Sequence, residues 1–161
     1  MKTYNISYAS PIETKIAWSQ ACFLSNKNIF KNDTIITDLL HKLKATIDSS
    51  HKEMMRIGID QICKKCEQDE GGSCCGAGLE KKYDGILILI NILIGIKLPF
   101  KRCDPKSCFF LGPSGCLLKA RHVICINYMC SKITDKISPE QMSPLREKEG
   151  EEIELLFHLH E

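Results

Sequence analysis

All but one of the ten cysteines of this 161-residue chain fall between Cys63 and Cys130. They run Cys63-x2-Cys66-x7-Cys74-Cys75, then Cys103, then Cys108-x7-Cys116-x8-Cys125-x4-Cys130, while Cys22 stands alone. Thiols at this density are disulfides, metal ligands or, less often, buried or reactive groups. Either of the first two fates ties the loops between them together, so this stretch constrains the fold more than any hydrophobic pattern does.

Compartment separates disulfide from metal. The opening Met-Lys-Thr-Tyr-Asn-Ile-Ser-Tyr lacks the apolar core of a secretory signal, so a cytoplasmic, reducing setting is expected and metal is favoured over a disulfide framework. The length suits one domain, long enough to bury a core of its own. With 22 Lys and Arg against 20 Asp and Glu, the charge gives no case for nucleic acid, whose binders are strongly basic. Lys64, Lys65, Lys81, Lys82, Lys101, Arg102, Lys106, Lys119 and Arg121 flank the cysteines. They either offset thiolate charge or form a solvated face.

Helical signals bracket the cysteines. Ser10-Pro11-Ile12-Glu13 reads as a capped start, with Ser10 as cap and Glu13 completing a capping box. Ile12, Ile16, Ala17, Ala21 and Leu24 follow at helical spacing, and Asn26 to Asn32 reads as a break. Asp33 or Thr34 opens a second helix with Ile36, Leu39, Leu40, Leu43, Ile47 and Met54 on one face, weakened by Gly58. The aliphatic run from Ile86 to Ile96 is too short for a bilayer span of about 20 residues. Its β-branched content suggests a strand. Asp84 as a cap and Gly95 near the end favour a buried helix ended by Pro99. Ser138-Pro139 and Ser143-Pro144 are further start signals, leading into a helix with Leu145, Glu149, Ile153, Leu156 and His160 on one face. The expected fold is mostly α: one helical domain (1–161), with flanking helices at 10–60 and 138–160 around a cysteine-rich core at 63–130.

Cys63-Lys-Lys-Cys66 has the spacing of a chelating knuckle. Gly71, Gly72, Gly76 and Gly78 around Cys74-Cys75 let backbone N–H groups approach an inorganic centre. The metal ligand pool is Cys63, Cys66, Cys75, Cys108, Cys116, Cys125 and Cys130, with Cys74 next. Adjacent cysteines point apart, so which of Cys74 and Cys75 ligates stays open, as does Cys103. Cys22, on the apolar side of a helix, reads as a buried structural thiol. His122 could be a ligand or a supporting donor. His41 and His51 read as surface residues, and His158 and His160 as favouring the negative end of the last helix.

Cys63-x2-Cys66, Gly72-x-Cys74-Cys75, Cys108-Phe109-Phe110-Leu111, Gly115-Cys116, Ala120-Arg121 and Cys125-x-Asn127-Tyr128-x-Cys130 together resemble the family of zinc- or iron-chelating proteins, itself similar to the domain of flagellin lysine N-methylases. The match covers the span from Cys63 to Cys130. The chain departs from the pattern in the stretched spacing between Cys66 and Cys74, and in His122 where the family has proline. The resemblance implies a bound iron–sulfur cluster or Zn²⁺. Three functions stay open: an iron–sulfur protein with a redox or partner-modifying role, a structural zinc module for protein interaction, and a protein-lysine methyltransferase-like enzyme. No catalytic residue set is identified. A protein partner is expected, with no nucleic acid and no membrane span.

Overall fold

The structure, a computed structural model, describes residues 6–69 and 74–161. Helices α1 (Ile12–Asn32), α2 (Thr34–Arg56) and α3 (Ile59–Asp69) lead to a 3₁₀ turn at Leu79–Lys82 and helix α4 (Gly85–Leu93). A two-stranded hairpin, β1 (Leu111–Gly112) with β2 (Gly115–Cys116), precedes short helices α5 (Val123–Asn127) and α6 (Ser131–Thr134) and the long α7 (Pro139–His160). The fold is mostly α, as the periodicity indicates.

Local chemistry accounts for most of the boundaries. Asp33 accepts hydrogen bonds from the Ile35 and Ile36 N–H groups and starts α2. Ser138 and Gln141 close a capping box on α7, with Pro139 in its first turn. Asp84 accepts from the Leu87 N–H, and α4 stops ahead of Gly95, so the aliphatic run is a helix that ends before Pro99. At the start of α1 the expected Ser10 cap does not form: Pro11 takes the cap position with no side-chain bond. The expected break at Asn26–Asn32 is a kink inside a continuous helix. Asn26 leaves helical geometry while its Nδ2 donates to the Cys22 carbonyl at 2.9 Å, a side chain competing with the backbone ladder. Gly58, at φ +82°, turns the chain between α2 and α3 in a conformation that costs other residues a steric clash.

Two apolar clusters hold these elements. The larger gathers Ile12 and Ile16 of α1, Leu40, Leu43 and Ile47 of α2, Ile88 and Ile90 of α4, and Phe109, Phe110 and Leu118. The smaller gathers Ile59, Ile133, Ile137, Met142 and Leu145. α1 packs on α4, and α2 packs on α7. Ser19 Oγ donates to the Gly85 carbonyl at 2.7 Å. A Cβ at Gly85 would sit 2.5 Å from the Trp18 ring, so only glycine allows the two helices this approach. Asn91, fully buried amid aliphatic neighbours, uses its whole amide. Nδ2 donates to Leu87 O (2.9 Å) and Ala120 O (2.8 Å), and Oδ1 accepts from the Lys119 and Ala120 N–H groups, both at 3.1 Å. That clamp fixes the loop leading from Cys116 to Cys125. Among the described residues no helix is long and apolar enough to cross a membrane.

Candidate metal centre

The cysteines arrive on separate elements, and specific backbone bonds bring several of them together. Segment 75–77 pairs antiparallel with 106–108: Gly76 bridges Ser107, the Cys108 N–H donates to Cys75 O at 2.7 Å, and the Ala77 N–H donates to Lys106 O at 2.9 Å. Cys75 and Cys108 are therefore opposed across one register. The β1–β2 hairpin sets Cys116 opposite Leu111. α5 carries Cys125, and Cys130 occupies the cap position of α6. Cys63 and Cys66 lie on α3. The expected knuckle is thus a single turn of helix, which still places residues three apart on one face.

If ionised, Cys75 would hold up the pKa of Cys63, Cys74, Cys108, Cys116 and Cys125, and Cys130 would do so for Cys63 and Cys74. Burial, then the neighbouring sulfurs Cys130, Cys75 and Cys66, push the Cys63 thiol up. The hydrogen bond to Cys75, followed by burial, raises Cys74. Burial takes Cys108 to about 12. Cys116 is exposed as a residue, yet crowding around its thiol raises it to about 11, with Arg121 pulling the other way. Burial raises Cys125, opposed by the Tyr83 hydroxyl. Without a cation, these thiols stay protonated at neutral pH. A reactive or redox-sensing thiol needs a depressed pKa, and none of these five is shifted that way.

The thiols also sit at the seam between the apolar clusters. Cys108 belongs to the larger one, with Cys75 and Cys125 packed against it, whereas Cys63 and Cys130 pack against the smaller. Among the described residues no three His, Cys, Asp or Glu side chains stand close enough to hold a metal ion as they are, so binding requires the sulfurs to draw inward. The donor set itself fits: clustered sulfur ligands select zinc or iron–sulfur clusters.

Two donors already address the sulfurs. Lys132 Nζ lies 3.3 Å from Cys66 Sγ. The Tyr83 hydroxyl lies 3.7 Å from Cys125 Sγ. Neither carries a signal in the sequence, because Tyr83 is 42 residues from Cys125 and Lys132 is 66 residues from Cys66. Of the flanking cations, Arg121 acts on Cys116 and Cys125. Arg102 instead bonds Glu80 at 2.5 Å and the Ser107 carbonyl, and Lys119 pairs with Asp48. Buried Glu80 also accepts from the Gly78 N–H (3.0 Å) and the Phe109 N–H (3.3 Å), tying the loop after Cys75 to the segment holding Cys108.

Cys103 is exposed, and Cys22 is half-buried on α1 with its carbonyl bonded to Asn26. Neither is among the groups acting on the Cys75-centred thiols. His122 caps α5, its Nδ1 accepting from the Ile124 N–H at 3.1 Å, so that nitrogen is committed to the backbone. His51, expected at the surface, is half-buried, and burial followed by Arg121 and Lys119 lowers it to about 4. His160 pairs with Asp84 at 2.7 Å. Gly71, Gly72 and Ser73 of the expected glycine loop lie outside the described residues.

No protein-family model matches the chain, and no curated protein or solved structure is found to be similar to it.

Proposed function

We propose that this chain is a cysteine-ligated metal protein, working in a reducing compartment and carrying an iron–sulfur cluster that serves a redox or partner-modifying role. What supports this reading is the placement of the cysteines: the Gly76–Ser107 bridge opposes Cys75 to Cys108, Cys75 and Cys125 pack with Cys108 on one apolar cluster, and Cys63 and Cys130 pack on the other. The pool is Cys63, Cys66, Cys75, Cys108, Cys116, Cys125 and Cys130, with Cys74 at the rim. The resemblance of the cysteine spacing to zinc- or iron-chelating proteins points the same way. When bound, such a cluster supplies one-electron transfer at a potential set by its surroundings. The chain's contribution is burial, the Lys132 and Tyr83 donors, and the Arg121 charge.

A second reading has its own support. Thiols at the seam of two apolar clusters are placed to staple them, which is the task of a structural Zn²⁺. The two readings separate on protein purified without oxygen. Iron with matching acid-labile sulfide and a band near 400 nm that bleaches with dithionite supports the cluster. Zinc without sulfide supports the staple, and neither metal overturns both. Cys63→Ser and Cys125→Ser are expected to lose the metal and Cys22→Ser to keep it. Unchanged metal content in the first two would sink the assignment.

A further inference from the structure

Tyr83 is the largest fully buried side chain of the described residues, at 1 % exposure, and it lies against the candidate centre. Its ring is held by Phe110 at 5.2 Å and His122 at 5.9 Å between centroids. The hydroxyl has two partners of different kinds. The His122 backbone N–H, 3.1 Å away, can only donate to it, and Cys125 Sγ lies at 3.7 Å. A phenol has one proton and accepts through its oxygen. With the His122 N–H filling the acceptor role, the phenolic proton points to the sulfur. The peptide N–H thus fixes the direction of the O–H···S bond.

We propose that Tyr83 is a positioning residue for the metal centre, whose hydroxyl holds the Cys125 sulfur in place and withdraws electron density from it, favouring the reduced state. This rests on the metal-centre reading. Hydrogen bonds to ligating sulfur are among the means by which a protein sets the potential of such a site. A donor also stabilises the more negative state more strongly.

The test is Tyr83→Phe, which keeps the ring against Phe110 and removes only the hydroxyl. One such bond is worth roughly a fivefold change in an equilibrium. In the loaded protein, with iron and sulfide unchanged, the reduction potential should fall by about 40 mV for a one-electron couple. An unchanged or higher potential overturns the proposal. A second readout needs no metal. In the metal-free protein, iodoacetamide should label Cys125 roughly twofold more slowly than in the parent, because losing the donor leaves less thiolate but makes that thiolate more nucleophilic, with exposed Cys103 unchanged as internal reference. An equal or faster Cys125 rate also overturns it. If the parent holds neither iron nor zinc, the metal-centre reading fails on its own count, and with zinc alone the redox part fails; in both cases the labelling still decides the Tyr83 bond. Should Tyr83→Phe not fold, the parent's buried hydroxyl proton, followed by nuclear magnetic resonance, is expected to move on Cys125→Ala. A resonance that stays put overturns the proposal.

Discussion

Replacing Asn91 by leucine tests how the cysteine loop is anchored. Leucine has a similar volume and suits the aliphatic surroundings, so packing alone predicts a neutral or stabilising change. The hydrogen bonds predict the reverse. The substitution strands the Lys119 N–H and both the N–H and C=O of Ala120. Lys119 is half-buried and water can reach it, but Ala120 is fully buried. Two buried, unsatisfied backbone groups cost about 1–3 kcal/mol each. Burying leucine in place of an amide returns about 1.5–3 kcal/mol. The expected net loss is about 2 kcal/mol, a large share of the roughly 5–15 kcal/mol that holds a domain together. With a urea slope of about 2 kcal/mol/M, the midpoint should fall by about 1 M at unchanged slope. Native-state hydrogen exchange should show the Ala120 amide losing its protection while amides within α1 keep theirs. A loss under about 0.5 kcal/mol, or an Ala120 amide still protected, would refute the clamp.

Glu80→Gln should destabilise the protein by about 3 kcal/mol at pH 7, since it unpairs Arg102 in a mostly buried site. Burial would raise Glu80, but Arg102 and the Phe109 and Gly78 N–H groups hold it below its usual range. Its contribution is therefore present above about pH 4.5 and lost as pH falls, and the difference from Gln, followed by chemical denaturation, should shrink toward pH 3. His51 carries a lowered pKa of about 4, so the unfolded chain takes up the proton first. Stability that is full above about pH 6.5 should decline toward pH 4, by about 2 kcal/mol after allowing for partial exposure. His51→Gln should remove that slope, and parallel melting curves for the two proteins would contradict it. Glu152 is fully buried with a raised pKa, through burial opposed by Ser50 and Arg121. Its stabilisation is present at low pH and lost as pH rises through the raised value, so Glu152→Gln should raise the melting temperature at pH 8 and leave it unchanged at pH 4. Metal uptake should release protons and tighten with rising pH, measured by calorimetry in buffers of different ionisation enthalpy.

Local signals with a local cause were legible. The Asp33, Asp84 and Ser138 caps, and the stop at Gly95, are written within a few residues of the elements they bound. Signals decided elsewhere were not. Cys63 and Cys66 share a helix because Gly58 restarts the chain and Lys64, Lys65, Glu67 and Gln68 are all good helix formers, whereas the spacing alone suggests a loop. The pairing of Cys75 with Cys108 depends on a bridge between distant segments that no periodicity announces. Tyr83 and Lys132 belong to the candidate site only through contacts across the fold. His51 was misjudged because its burial comes from its tertiary neighbours. Spacing names the cysteines as a pool, but among the described residues no three of them stand close enough to hold a metal ion, since their distances are set by packing between separate elements.

The packing of α7 on α2 also sets an order of events during synthesis. Every cysteine precedes α7 in the chain, and the buried face of α2, with Leu43, Ile47 and Ser50, is covered only once α7 arrives. At roughly 5–20 residues per second, the thiols spend a few seconds outside the ribosome with the smaller cluster still lacking Met142 and Leu145. Cys63 and Cys130 pack against that cluster, so their apolar surroundings are incomplete in this interval. The seating of α7 supplies Met142 and Leu145 and finishes them.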